Sequence, residues 1–367
     1  MKKKVSIVRC NSYEPRELEA SINKAFDLVG GLGLFIKEGD RVLLKPNMLS
    51  GSGPEEGKNT HIEVIRACAK LVRRQKATPL IGDNPGGSIS AKDAYETTGI
   101  ANIAREEDIE LLEPKSARVI SGIPISEYFF ECNKIINIPK MKTHSLMTLT
   151  GAIKNMYGAV SGLNKSQYHK RFPRPEDFCG VLLDIFEMVK PTLNLMDAIV
   201  IMDGNGPAAG RLKKGNILIA SSDAIALDSV FSSIVGLDPF KNIITREAHR
   251  RGLGEIDPKN IDVVGEKIEN VLIKDFDLPT SKIFMNLPKF LLKILTALIR
   301  FRLHIDEKNC RRCMVCKDSC PVSCITIDSK NAFIDQAKCI TCMCCHELCP
   351  YKVVEIRRNL LAKRFGL

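Results

Sequence analysis

Ten of the chain's 14 cysteines lie between Cys310 and Cys349. Eight of these form two runs of one pattern, Cys-x2-Cys-x2-Cys-x3-Cys-Pro. The first run is Cys310, Cys313, Cys316 and Cys320-Pro321; the second is Cys339, Cys342, Cys345 and Cys349-Pro350. Thiolates at this spacing hold iron–sulfur cubes. Three in one tight loop cap three corners of a cube, and the fourth, followed by a helix-stopping proline, points to the other cube. The pattern therefore assigns Cys310, Cys313, Cys316 and Cys349 to one 4Fe–4S cluster, and Cys339, Cys342, Cys345 and Cys320 to a second. Zinc sites seldom use this triple spacing followed by Cys-Pro. The stretch Cys342-Met343-Cys344-Cys345-His346 also fits a haem-attachment spacing, but the iron–sulfur phase already accounts for Cys342 and Cys345. Cys324 and Cys344 are left over and read as small apolar fillers, as do Cys10, Cys68, Cys132 and Cys179.

Clustered cysteines become disulfides in oxidising compartments and metal ligands in reducing ones. The opening stretch Met1–Arg9 has an apolar run broken by Ser6 and stopped by Arg9, too short for a secretory signal core. It reads as a first β-strand, and the expectation is a cytoplasmic protein. The cysteine region is also a repeat with a period of 29 residues: Ile305-Asp306 recurs as Ile334-Asp335, and Ile325 and Ile327 recur as Val354 and Ile356. Each half reads as a strand, a cysteine loop, a helical turn and a second strand. Two such halves make a small α+β, two-cluster ferredoxin domain over residues 304–367, with a C-terminal tail. A module of this kind moves single electrons at low potential and does no substrate chemistry alone.

A second set of chemistry-bearing residues lies upstream, in polar turns that follow short apolar runs. Lys45-Pro46-Asn47 follows Val42–Leu44; Gly82-Asp83-Asn84-Pro85-Gly86-Gly87-Ser88 follows Leu80-Ile81; Pro139–His144 follows Ile135–Ile138; Asp203–Pro207 follows Ile199–Met202; and Ser221-Ser222-Asp223 follows Leu218–Ala220. Ligands of open parallel sheets bind beyond the carboxyl ends of the strands, so these five loops should converge on one crevice. It would hold Lys45, Asn47, Asp83, Lys142, His144 and Asp203, with Lys154 and Asn155 on the following helix. Lys45, Asn47, Lys154 and Asn155 are then candidates to bind an anionic substrate. His144, Lys142, Asp83 and Asp203 are candidates for proton transfer and polarisation. The bland alternatives are a hydrogen-bonded structural histidine at 144, a turn-shaping Asp203, and an Asp223 that favours a helix N-terminus. No standard nucleotide motif is present: Gly53–Asn59 has the wrong spacing for a phosphate loop, and Pro207 intrudes in Gly204–Gly210.

The elements that would position these residues alternate. Strand-like runs at Val5–Val8, Arg41–Leu44, Pro79–Ile81, Lys134–Ile138, Ala198–Met202 and Asn216–Ala220 are interleaved with helical periods at Pro15–Val29, His61–Arg74, Pro175–Val189 and Ser222–Val235. That alternation predicts an α/β domain with a mainly parallel sheet over residues 1–276. Residues 277–303 differ: Ile283–Leu303 is mostly apolar, with Lys289, Lys293, Thr296 and Arg300 in one polar stripe. This predicts an amphipathic basic linker helix, packed on a domain or lying on an anionic membrane surface.

Six segments also carry a resemblance. Leu44–Asn47, Gly82–Gly86, Pro139–His144, Thr150–Asn155, Gly204–Pro207 and Asp223–Asp228 resemble, in order over roughly residues 5–240, the recurrent segments of the domain-of-unknown-function 362 family. Its members often carry a two-cluster ferredoxin module, so the resemblance implies an iron–sulfur protein, usually prokaryotic. It does not supply a reaction.

The formal net charge is +11, of which residues 277–367 hold +8. Two oxidised tetrathiolate clusters offset roughly 4 of those units, so the basic excess gathers at the iron–sulfur end and suits an acidic redox partner or a membrane there. Nucleic acid is not expected, because the chain has no aromatic-rich basic strip. The expected function is an iron–sulfur oxidoreductase acting on an anionic small molecule in the crevice. The alternative is an electron-transfer carrier whose large domain docks a redox partner protein.

Overall fold

The computed structural model describes residues 2–87, 89–160, 164–172, 174–279, 301–329 and 331–358. Strands β1 (Lys3–Arg9), β2 (Arg41–Pro46), β3 (Thr78–Gly82) and β4 (Glu110–Leu112) precede a side hairpin of β5 (Ala117–Ile120) and β6 (Ile123–Ser126). Then come β7 (Lys134–Ile138), β8 (Lys140–His144), β9 (Thr148–Thr150), β10 (Leu193–Asp203), β11 (Arg211–Ser221) and β12 (Ile261–Gly265). Apart from the hairpin these form one ten-stranded sheet in the order β12-β1-β11-β10-β7-β2-β3-β4, with β8 paired to β10 and β9 to β8. Most neighbours are parallel, and the chain is a mixed α/β protein with a large, mainly parallel sheet.

Alternation of side chains along each strand feeds two cores. Val42 and Leu44 point to the face covered by helices Pro15–Leu28 and Ile62–Arg74, where they join Leu18, Ile22, Phe26, Val64 and Leu71. Leu43 and Ile135 point to the other face, among Phe178, Leu182 and Phe186 of helix Pro175–Met188 and Leu227 and Phe231 of helix Ala224–Ile234. Strands covered on both faces are apolar on both, which is why these runs read as near-continuous. Each fully buried large aliphatic or aromatic side chain contributes about 1.5–3 kcal/mol.

Two departures from the sequence expectation matter for the site. First, β11 runs antiparallel to both β10 and β1, with Ser221 beside Asn194 at the start of β10. Its carboxyl end therefore lies at the opposite rim of the sheet, and the loop Ser221–Asp223 does not join the crevice. Asp223 instead caps helix Ala224–Ile234, accepting from the Ile225 and Ala226 N–H groups at 2.9 and 3.0 Å. Second, Lys140–His144 is not a loop but strand β8, buried at all five positions. Pro139, which has no N–H to give a ladder, separates it from β7.

The cysteine region forms two small antiparallel pairs, β13 (Phe301–Ile305) with β16 (Val354–Arg358) and β14 (Ile325–Ile327) with β15 (Ala332–Ile334). The 29-residue period is visible in its backbone. Left-handed conformations at Arg312, Met314 and Ser323 recur at Thr341, Met343 and Lys352, and the short helices Val315–Asp318 and Cys344–Leu348 begin one period apart. The expected linker helix of residues 277–303 lies largely outside the described residues. No helix among the described residues is long and apolar enough to cross a membrane.

Candidate functional site: a crevice walled by the cysteine helix

A pocket of about 100 Å3 opens beyond the carboxyl ends of β2 and β3. Four of the eight expected crevice residues line it: Asn47, Asp83, Lys154 and Asn155. Its far wall is helix Cys344–Leu348, which contributes Cys344, Glu347 and Leu348. The glycine turn after β3 makes this approach possible. A methyl group on Gly87 would sit 3.3 Å from the Leu348 side chain and 3.4 Å from Ser319 Oγ, and Gly87 has φ +77°.

Several polar groups of the crevice are committed to holding it together. Lys45 is fully buried, with Nζ 2.8 Å from Asp83 Oδ1 and 3.0 Å from the Pro46 carbonyl. Asp83 also accepts from the backbone N–H of Met48 at 2.8 Å and of Asn84 at 3.0 Å. The pair is thus a structural clasp, and Lys45 does not reach the pocket. Any side chain at Gly158 would collide with the Asp83 carboxylate and the Lys45 ammonium. Asn155 donates to Asn137 Oδ1 at 2.7 Å, and Asn137 donates to Asn194 Oδ1 at 2.9 Å, an amide ladder that runs from β10 through β7 to helix Ala152–Asn155. Asp228 accepts from the N–H groups of Ala152 and Ile153 at 2.6 and 3.0 Å and so caps the helix that presents Lys154.

On β8, Lys140 is neutralised by Asp197 at 2.8 Å. Lys142 is buried and donates to the Lys58 carbonyl; burial first, then Lys154 and Lys140, push it well below the usual lysine range. His144 Nδ1 accepts from the N–H groups of Leu146 and Met147 at 3.2 and 3.1 Å. Burial, with Lys154, His169 and Lys142, holds its imidazole well below the usual range. It is therefore neutral, with its proton on Nε2, which lies 3.3 Å from Glu347 Oε1 but off the hydrogen-bond line. This is a positioning histidine, not the acid–base group its loop context suggested. Asp203 is engaged elsewhere, by Arg211, by Lys213 Nζ at 3.0 Å and by the Asp277 N–H at 3.0 Å, and does not line the pocket.

The pocket contains residues that the strand-end argument missed. Lys165 and His169 lie one turn apart on helix Asn164–Arg171 and both line it. Lys165 Nζ donates to the carbonyls of Asn84 and Pro85. Burial pushes Lys165 down to about 7, and burial pushes Lys154 down to about 8 despite the attraction of Glu347. His169 stacks on Phe178 with centroids 4.3 Å apart. The i, i+4 spacing of Lys165 and His169 was the available signal, but no strand precedes that helix.

The ten cysteines of the C-terminal region line two cavities. Cys310, Cys313, Cys316 and Cys349 line one small cavity. Cys320, Cys339, Cys342 and Cys345 line another, together with Cys324 and Cys344. Among the described residues no three Cys, His, Asp or Glu side chains converge tightly enough to hold a lone metal ion. Cys344 lines both the second cavity and the crevice pocket, so it is a shared wall and not merely a filler.

A mainly parallel sheet with its pocket at the carboxyl rim defines an α/β protein of the switch-point type. Residues 42–233 match the domain of unknown function DUF362, and the chain belongs to that family. The thylakoid-associated protein sll1697 of Synechocystis sp. is 33% identical, over 76% of this chain and 92% of its own length. Two solved structures are distantly alike. A Thermotoga maritima protein is 12% identical with a TM-score of 0.37, over 66% of this chain and 60% of its own. The lactate racemase apoprotein of Thermoanaerobacterium thermosaccharolyticum is 10% identical with a TM-score of 0.40, over 65% and 58%. The chain thus spans less than two thirds of either solved chain.

Proposed function

We propose that the chain is a cytoplasmic iron–sulfur oxidoreductase that passes low-potential electrons from two 4Fe–4S clusters to a small anionic substrate in the crevice pocket. The observation that carries this reading is the wall shared by the second cysteine cavity and the pocket at Cys344. The donor chemistry suits clusters: four cysteines line the first cavity and six the second, among them the two sets that the repeated spacing assigns. The repeated left-handed turns and paired strands support a two-cluster ferredoxin unit over residues 304–367, distinct from an α/β unit over 1–276. When bound, such clusters supply single electrons at low potential.

The chain's own residues do the rest. Lys154 and Lys165 hold the anion, in a recess where half-burial strengthens each contact. Lys165, poised at about 7, gives its proton to a substrate that gains electrons. The Lys45–Asp83 clasp and the amide ladder keep the rim rigid, and His144 lies beside Glu347 at the junction.

Chemically reduced protein mixed with candidate anions tests this reading, with cluster absorbance reporting reoxidation. One anion should speed reoxidation, and Lys154→Ala should slow that step at least about tenfold with the oxidised spectrum unchanged. If turnover instead needs a partner protein and ignores Lys154→Ala, the chain is an electron carrier whose large unit docks that partner.

A further inference from the structure

Buried polar atoms in folded proteins almost always have a hydrogen-bond partner, and each exception calls for an explanation. Among the described residues five buried side-chain polar atoms lack one: Asn47 Oδ1, Thr150 Oγ1, His169 Nδ1, His346 Nε2 and Glu347 Oε1. All but His346 line the crevice pocket. Three of those four residues are more than nine-tenths buried: Thr150 is 3%, His169 7% and Glu347 8% exposed. Lys154 Nζ, in the same pocket, makes no hydrogen bond or ion pair among the described residues. Lys165 uses two of its three hydrogens on backbone carbonyls and keeps one for the pocket.

We infer that the pocket takes an organic carboxylate whose body carries at least one O–H or N–H donor, held by Lys154 and Lys165 at its anionic end and by Asn47, Thr150 and His169 along its body. The inference deepens the function proposed above and rests on it only for treating this pocket as the substrate site. The donor requirement comes from the orphan set. Asn47 Oδ1 and Glu347 Oε1 accept, and Thr150 and His169 can do so. A bare carboxylate brings acceptors alone: it can satisfy the lysines, the Thr150 hydroxyl and one tautomer of His169, but it leaves Asn47 Oδ1 and Glu347 Oε1 orphaned. The organic body comes from size and lining. A cavity of about 100 Å3 exceeds a lone ion, and Met48, Leu49, Tyr157 and Leu348 present carbon surface to it.

The test is calorimetry and thermal melting on the full chain as purified. The probes are inorganic phosphate and two matched pairs, butanoate with 3-hydroxybutanoate and benzoate with 4-hydroxybenzoate. A hydroxylated acid should bind at least about fivefold tighter than its bare partner, the worth of one neutral hydrogen bond. Lys165→Met should weaken it about tenfold or more. Thr150→Val should weaken the hydroxylated acid about fivefold and leave its bare partner unchanged. It should not lower the melting temperature of the ligand-free protein, because no hydrogen bond is lost there. Binding of phosphate alone, binding of no acid, absence of a hydroxyl preference, or a Thr150→Val variant that melts lower with unchanged affinity would each overturn the inference. Binding without reoxidation of the reduced protein would retain it and remove the electron-transfer reading. Reoxidation by bare acids as fast as by hydroxylated ones would do the reverse.

Discussion

Lys154, Lys165 and Glu347, which burial raises to about 7, set the pH behaviour of the pocket. Burial holds the two lysines at about 8 and about 7, below the ordinary lysine value of 10.5. In the free protein both ammoniums are lost as pH rises through that window, so affinity for an anion should fall from pH 7 to pH 9. Stability moves the other way. Between the depressed values and the ordinary one the unfolded chain binds more protons, so these two groups make stability rise with pH there. Denaturant unfolding at pH 7 and pH 9 should show this rise, and Lys165→Met should flatten part of it; an unchanged slope in the variant would contradict the assignment. Of the expected crevice residues, Asn47, Asp83, Lys154 and Asn155 were legible from strand-end position alone. Lys45, Lys142 and His144 were in the right neighbourhood but inward-facing. A sequence displays the polarity of a residue and not the partner that consumes it, and their partners are Asp83, the Lys58 carbonyl and the backbone of residues 146–147.

At the scale of elements, the junction rests on two pieces: the glycine turn after β3 and helix Cys344–Leu348. Gly87→Val would place a branched side chain against Leu348 and Ser319 and force a residue with φ +77° into strain. The expected result is a protein with full iron content and an unchanged oxidised spectrum, but with substrate-driven reoxidation slowed at least about tenfold by a displaced wall. Normal reoxidation would show that the helix is not the relevant wall. The strands flanking this turn were legible because β2, β3 and β7 are covered on both faces and read as apolar runs. Strand β8 was not, because its alternating lysines resemble a loop until Asp197 of β10 is set beside Lys140. The direction of β11 was equally hidden: a buried antiparallel strand and a buried parallel one have the same composition, and only its pairing with β1 and β10 separates them.

For the whole molecule, two cysteine cavities and the pocket form a series. The first cavity includes the exposed Cys313, and the second shares Cys344 with the crevice. Cys313→Ser and Cys342→Ser should each remove one cluster, so iron content falls by about half in either variant. Low-temperature EPR of the reduced protein should show a single remaining centre, and two intact centres in either variant would refute the ligand sets. The repeat made this module the most legible part of the chain, whereas its contact with the α/β unit was invisible, because residues around 86 and 348 meet only in three dimensions. That contact also orders events during synthesis. The rim of the crevice is translated by His169, while its far wall is not made until Leu348. Until then Lys154 and Lys165 face an open cleft, and the pocket closes only once the second cysteine run has emerged and docked. The crevice is thus complete only when the C-terminal cysteine segment is in place.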